Sequence, residues 1–233
     1  MKTYPQEMLE AFKKITTATL TTVLLKKGLR NVWVRGAFAL SNDQSRVVGP
    51  AFTLRFIPAR EDLATPASWS SPISTRAAIE EMPEGCIAIV GAEGYRDAGI
   101  FGDILCERMK QRNVAALVTD GVVRDVEGVE QTKLPVWAAG TSSPPSVAGL
   151  TFVGWQEPVG CGGVAIFPND LIVADKDGAV VIPADIVEEV LAYSKEQERL
   201  EEWILDEVKN GASLPGLYPP NESNKIRYEN SKK

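Results

Sequence analysis

Two short segments carry the residue types from which a reaction centre could be built. The first is Gly102-Asp103-Ile104-Leu105, a glycine and an acid at the start of a predicted helix. The second is Asp120-Gly121-Val122-Val123-Arg124-Asp125, directly after a predicted strand. Free backbone N–H groups and the positive end of a helix dipole suit a small carboxylate at the first segment. A guanidinium and a carboxylate follow at the second. The 233-residue chain contains no histidine, which excludes Ser-His-Asp and Cys-His sites, histidine-ligated zinc and histidine acid/base chemistry built from this chain alone. What is left is carboxylates, arginine, lysine, backbone amides or a hard metal ion.

Each segment also has a plainer reading. Asp103 is a common helix cap or first-turn acid, Arg124-Asp125 a common solvated pair, and Asp120-Gly121 a common turn. The combination depends on the elements that position it. Residues 86–90 and 114–118 read as continuous apolar strands, and 103–112 as a short helix with Ile104, Leu105 and Met109 inward. Strand, helix and strand within about thirty residues form a βαβ unit with parallel strands. Ligands in open α/β sheets gather outside the strand carboxyl ends, so the two segments are predicted to face one pocket.

Around this unit the pattern predicts a helix over 5–27, strands over 32–34 and 51–57, and a surface loop over 58–75, rich in proline and serine. Strands follow at 136–138, 151–153, 164–167, 171–174 and 179–182, the last two joined by the turn Asp175-Lys176-Asp177-Gly178. That turn starts like a calcium loop but lacks the closing acid. Gly160-Cys161-Gly162-Gly163 fits no phosphate-loop spacing and predicts a bend. Residues 185–210 predict a long amphipathic helix capped by Asn210-Gly211, and the acids between Glu196 and Glu207 form its wet face. The result is one α/β domain over 1–211 and an extended carboxyl-terminal arm over 212–233.

Composition narrows the functional classes. With 44% hydrophobic and 24% charged residues the chain is an ordinary globular protein. A net charge of −6 gives no general attraction to nucleic acid or anionic membranes. Cys86, Cys106 and Cys161 are odd in number and widely spaced, which predicts neither disulfides nor a cysteine metal site and fits a reducing cytoplasm. Met1 to Lys14 has no apolar core of a leader, and no run of about 18 apolar residues predicts a membrane span.

Gly49-Pro50-Ala51-Phe52-Thr53, Gly102-Asp103-Ile104-Leu105, Thr119-Asp120-Gly121-Val122-Val123-Arg124-Asp125 and Pro168-Asn169-Asp170-Leu171-Ile172-Val173-Ala174-Asp175, with Gly178 and Val180-Val181-Ile182-Pro183, resemble in this order the RraA-like family. That family includes the regulator of ribonuclease E activity and the 4-hydroxy-4-methyl-2-oxoglutarate aldolases. The resemblance covers about residues 15–211 and is most specific at the GD and DGxxRD elements. It implies a β/β/α layered fold with the βαβ unit at its centre, amino-terminal helices and a long carboxyl-terminal helix. It also implies homotrimers or homohexamers with sites between subunits, and class II pyruvate-aldolase chemistry with Mg2+ or Mn2+. On that basis the backbone of Gly102, Asp103, Ile104 and Leu105 holds a pyruvate carboxylate, Arg124 meets the keto or enolate oxygen, and Asp125 binds the metal. Asp103 belongs to the metal's outer shell, joined by Glu201 or Glu202 of a neighbouring chain.

The implied chemistry is coherent. Cleaving a carbon–carbon bond beside a 2-oxo acid leaves an enolate, which a cation and Arg124 would stabilise. No lysine in the motif points to a Schiff base. Oxaloacetate decarboxylation passes through the same enolate. The expectation is thus a lyase acting on a 4-hydroxy-2-oxo dicarboxylic acid. Its rival is a noncatalytic regulator binding a ribonuclease through an acidic surface, and a methyltransferase is disfavoured because no glycine-rich strand-turn-helix of that kind stands out. The departures from the family pattern are Thr22, where relatives commonly carry aspartate, and the proline-rich stretch 58–75. The latter bears on what lies beyond the pyruvate half.

Overall fold

The computed structural model describes residues 2–232. Its amino-terminal stretch is two helices where one was predicted, α1 (Gln6–Phe12) and α2 (Thr17–Lys26). The break lies at Thr16, whose extended backbone and hydroxyl cap the second helix by accepting the Thr19 N–H at 3.1 Å. A hydroxyl that can bond its own backbone competes with helix continuation in this way.

Next come β1 (Phe38–Ala39), β2 (Val47–Pro58), α3 (Thr75–Glu81), β3 (Ile87–Gly91), α4 (Asp103–Gln111), β4 (Ala116–Thr119), α5 (Val126–Thr132) and β5 (Val136–Ala138). They are followed by β6 (Leu150–Trp155), β7 (Val159–Cys161), β8 (Val164–Ile166), β9 (Leu171–Asp175), β10 (Gly178–Ile182), α6 (Val187–Lys209) and α7 (Glu222–Ser231). The stretch 32–34 contributes a single bridge, Trp33 to Val180, rather than a strand.

The predicted βαβ unit is present. β3 and β4 run parallel in register from Ile87 opposite Ala116 to Val90 opposite Thr119, with α4 as the crossover. β2 and β5 flank them, also parallel, in the order β1-β5-β4-β3-β2-β9-β10. β2 is long enough to serve two directions. Its first residues pair with β9, its middle with β3 and its end with β6 across an irregularity at Arg55 and Phe56. The sheet therefore curls.

Strand alternation then divides the apolar residues into layers. Ile87, Ile89, Ala116, Val118, Trp137, Ile172 and Val181 fill the interior of the curl. Ala88, Val90, Leu117 and Val136 face α3, α4 and α5, while Leu171, Val173, Val180 and Ile182 lie under α1, α2 and α6. Mixed α/β architecture of this kind is the predicted fold class. Among the described residues no helix is long and apolar enough to cross a membrane.

The arm predicted to be extended is not. After Gly211 the chain turns, Asn221 caps α7 by accepting the Asn224 N–H at 3.0 Å, and α7 packs back on α6. Tyr228 lies 5.6 Å from the Trp203 ring and donates to Glu196 at 3.1 Å. A helix with only Ile226 and Tyr228 as large apolar residues shows almost no periodicity, so its contacts with α6, and not its own pattern, hold it.

Candidate functional site

The segments singled out from sequence meet at the carboxyl edge of β3 and β4. Beyond the strands the two connections continue to pair: the Ile100 N–H donates to the Val122 carbonyl and the Arg124 N–H to the Phe101 carbonyl, both at 2.9 Å. On the other side Val123 exchanges hydrogen bonds with the loop after β5, donating to Gly140 at 3.1 Å and accepting from Ser142 at 2.9 Å. Arg124 is thus delivered by backbone held on both flanks.

Asp125 follows in the left-handed region, φ 51° and ψ 46°, at the cap position of α5. An L residue with a Cβ is strained there, although aspartate tolerates it better than most. Its carboxylate does not cap the helix. Oδ2 accepts from Arg124 Nε at 3.0 Å, and Oδ1 has no hydrogen-bond partner among the described residues. The pair is partly open, with 35% of the Arg124 side chain and 47% of that of Asp125 exposed. An ion pair so exposed contributes about 0–1 kcal/mol, too little to account for a strained backbone held in place.

Two glycines set the spacing. A Cβ on Gly102 would sit 2.8 Å from Asp125 Oδ2, and one on Gly128 would sit 2.7 Å from the Asp103 Cβ. Gly102 leaves the Asp125 carboxylate its present position, which a Cβ there would push aside, and glycine at 128 lets α5 dock on Asp103. The outcome is one open cavity of about 390 Å3, lined among others by Gly102, Asp103, Ile104, Leu105, Arg124 and Asp125. The expected meeting of helix start, guanidinium and carboxylate is present.

Some details differ from expectation. Ile104 is 79% exposed instead of inward, and the buried residues of α4 are Cys106 and Met109. At 3.6 residues per turn Ile104 stands about 200° from Cys106, so the two cannot share a face. The Ile104 N–H already donates to Asp103 Oδ1 at 2.7 Å, which an arriving anion must displace or leave aside. Glu201 and Glu202 do not line this cavity in their own chain. Glu201 instead accepts from Thr19 at 3.1 Å and Gln197 at 2.7 Å, tying α6 to α2.

Asp120, read from sequence as a turn, is an anchor. It is buried and accepts from the N–H groups of Ala92 at 2.8 Å, Gly94 at 3.2 Å and Gly162 at 3.0 Å, joining the loop after β3 to the bend between β7 and β8. Asp120→Ala would strand three donors and is expected to cost about 2–4 kcal/mol, read from urea unfolding. An unfolding midpoint equal to that of the wild type would refute the anchor role. Asp175 is likewise structural, accepting from Thr17 N at 2.9 Å and Thr17 Oγ1 at 2.6 Å within the β9–β10 hairpin. Burial pushes the Cys86 and Cys106 thiols up to about 12 and holds Cys161 well above the ordinary thiol range, so none is an ionised nucleophile near neutrality.

The far wall of the cavity was not found from sequence. Trp69, Thr75, Arg76 and Ser146 complete it. Trp69 and Thr75 come from the stretch 58–75 predicted as a plain loop, which holds a 3-10 turn at Pro66–Ser70 and, capped by Ser74, the start of α3, and Arg76 follows directly in that helix. The signal available was Ser74, whose hydroxyl accepts the Ala77 N–H at 3.3 Å.

Among the described residues no three His, Cys, Asp or Glu side chains cluster as a metal site. The donors present are the free oxygen of Asp125 and the neighbouring carboxylate of Asp103, with space kept by glycine. Few carboxylate oxygens and room for water suit a hard cation such as magnesium, so these residues fit one.

Comparison with known proteins agrees with this architecture. The RraA-like family model, described as Aldolase/RraA, matches residues 17–181, and the chain belongs to that family. It is 30% identical over 193 residues to a Halalkalibacterium halodurans protein named "Putative 4-hydroxy-4-methyl-2-oxoglutarate aldolase", covering 82% of this chain and 84% of that one. Protein DlpA of Legionella pneumophila is 29% identical over 169 residues, and the match spans only 26% of its length. Among solved structures, Streptomyces coelicolor RraAS2, described as an unusual member of the RNase ES inhibitor RraA protein family, superimposes with a TM-score of 0.78 at 33% identity, covering 87% of this chain and 98% of that one.

Proposed function

We propose that the chain is a divalent-metal-dependent lyase that releases pyruvate from a 4-hydroxy-2-oxo dicarboxylic acid such as 4-hydroxy-4-methyl-2-oxoglutarate, with oxaloacetate decarboxylation as a second reaction. The observation that carries this reading is the Asp125 carboxylate, held in a strained backbone beside Arg124 and kept clear by Gly102. The start of α4 at Gly102 to Leu105 binds the substrate carboxylate through its backbone donors. Arg124 has its Nε on Asp125 and turns the rest of its fork to the keto oxygen, where negative charge grows as the C3–C4 bond breaks.

The C4 hydroxyl gives up its proton to a water held at Asp103, and C4 becomes a carbonyl. The bonding pair moves into the enolate of pyruvate, which takes a proton at C3. Asp125 would hold the cation, with Asp103 and, from a neighbouring chain of a homotrimer or homohexamer, Glu201 or Glu202 as the further acids that would serve it. A bound divalent cation supplies Lewis-acid polarisation of the keto group. The protein acts on a small 2-oxo acid in the cytoplasm, without nucleic acid or membrane as partner.

The test is pyruvate release from 4-hydroxy-4-methyl-2-oxoglutarate and from oxaloacetate with Mg2+, after chelation, and after restoring Mg2+ or Mn2+. Turnover is expected to vanish on chelation and return with either metal. Unchanged turnover in chelator removes the metal from the reading. The likeness to RraAS2 favours a second reading, a noncatalytic regulator of a ribonuclease. It gains only if no pyruvate appears with metal present and a ribonuclease is inhibited.

A further inference from the structure

Beside the cavity of Arg124 and Asp125 lies a second one, of about 480 Å3, roofed by the stretch between β2 and α3. The two adjoin, with Trp69, Thr75, Arg76 and Ser146 lining both. The second is lined mainly by apolar groups, among them Phe56, Leu63, Ile73, Leu150 and Phe152. Leu63 and Ile73 stay exposed there instead of joining a core. Large apolar side chains turned toward a concave, open space beside a polar site are the usual lining of a ligand's apolar part.

The charge at the junction is also defined. The Arg76 guanidinium lies 5.2 Å from the centre of the Trp69 ring and has no carboxylate partner among the described residues. Asp62, the one acid of the second cavity, is engaged by Arg60 through two 2.8 Å hydrogen bonds. The junction therefore offers an uncompensated cation held over an aromatic face, with an apolar recess beyond.

We infer that this double cavity reads the half of the substrate that does not become pyruvate. Arg76 binds the distal carboxylate, and the recess takes a C4 substituent larger than methyl. The preferred substrates are thus 4-hydroxy-2-oxo dicarboxylic acids branched at C4 by a bulky apolar group. The inference rests on the pyruvate-releasing reading, and the experiment separates the two.

Deuterium exchange into the methyl group of pyruvate, with Mg2+, reports on the pyruvate half alone. Pyruvate release is then compared for 4-hydroxy-2-oxoglutarates carrying methyl or benzyl at C4, and for the methyl compound with its distal carboxylate converted to an amide. The wild type is expected to turn over the benzyl compound at least as well as the methyl one. Ala64→Trp, which narrows the recess, is expected to lower kcat/KM for benzyl by about tenfold or more while sparing methyl. The wild type is expected to prefer the acid over the amide by roughly 10- to 100-fold, a preference that Arg76→Gln abolishes, mainly through KM. Exchange with rejection of the benzyl compound overturns the inference and leaves the parent reading standing. An acid-to-amide preference untouched by Arg76→Gln also overturns it, as does an Ala64→Trp variant altered only in its oligomeric state. Absence of exchange overturns both.

Discussion

Replacing Arg124 by lysine is expected to lower kcat/KM for pyruvate release by about 100- to 1000-fold while leaving thermal stability nearly unchanged. The guanidinium has two tasks at once. Nε holds the Asp125 carboxylate at 3.0 Å, and the remaining N–H groups of the planar fork are left for the substrate. A lysine ammonium is a point charge on a flexible stem and can satisfy one of these tasks at a time. Stability should move by less than about 1 kcal/mol, because a half-exposed ion pair contributes little. Steady-state kinetics beside a melting curve check both halves of the expectation. Kinetics equal to those of the wild type would remove Arg124 from the keto oxygen, and a large drop in melting temperature would make the pair a structural one.

The parts of this site that sequence reveals are those governed by strong local rules. Continuous apolar strands at β3 and β4, a glycine-led acid at the start of α4 and an Arg-Asp pair just past a strand end are each visible, and parallel connection makes them converge. What sequence does not reveal is set by contacts between distant segments. α5 is seven residues long with Val129 as its buried side chain, and it sits where it does because Gly128 admits the Asp103 side chain. No periodicity announces such a helix. Trp69 reaches the cavity through a short 3-10 turn in a stretch whose prolines and serines read as loop, and Arg76 through the serine-capped helix that begins at its end.

The same division explains the misplaced details. Thr16 splits a helix because its hydroxyl caps, and Ile104 faces outward because Cys106 and Met109 own the buried face of α4. Asp120 looked like turn chemistry since an Asp-Gly pair is common in turns, yet its three amide partners are drawn from 28 residues upstream to 42 downstream. A short-range rule can place a residue on a loop. It cannot tell whether the loop's carboxylate is free for chemistry, as at Asp125, or fully occupied, as at Asp120.

That contrast makes Asp125 the most informative position to change. Asp125→Asn keeps a residue that tolerates the left-handed backbone and keeps an oxygen for Arg124, but removes the charge. Asp125→Ala removes both, and it also loses the short polar side chain that eases the left-handed region, a cost of up to about 1–2 kcal/mol. If the carboxylate serves as metal ligand, both variants should fall by about 1000-fold or more in metal-dependent pyruvate release, since the cation's contribution amounts to several kcal/mol. Only Asp125→Ala should lose stability in urea. An active Asp125→Asn would mean that the position is held for its backbone geometry and its bond to Arg124, and the cation would need another ligand. Equal loss of stability in both variants would instead mark the charge as part of the fold, which the open setting of the pair argues against.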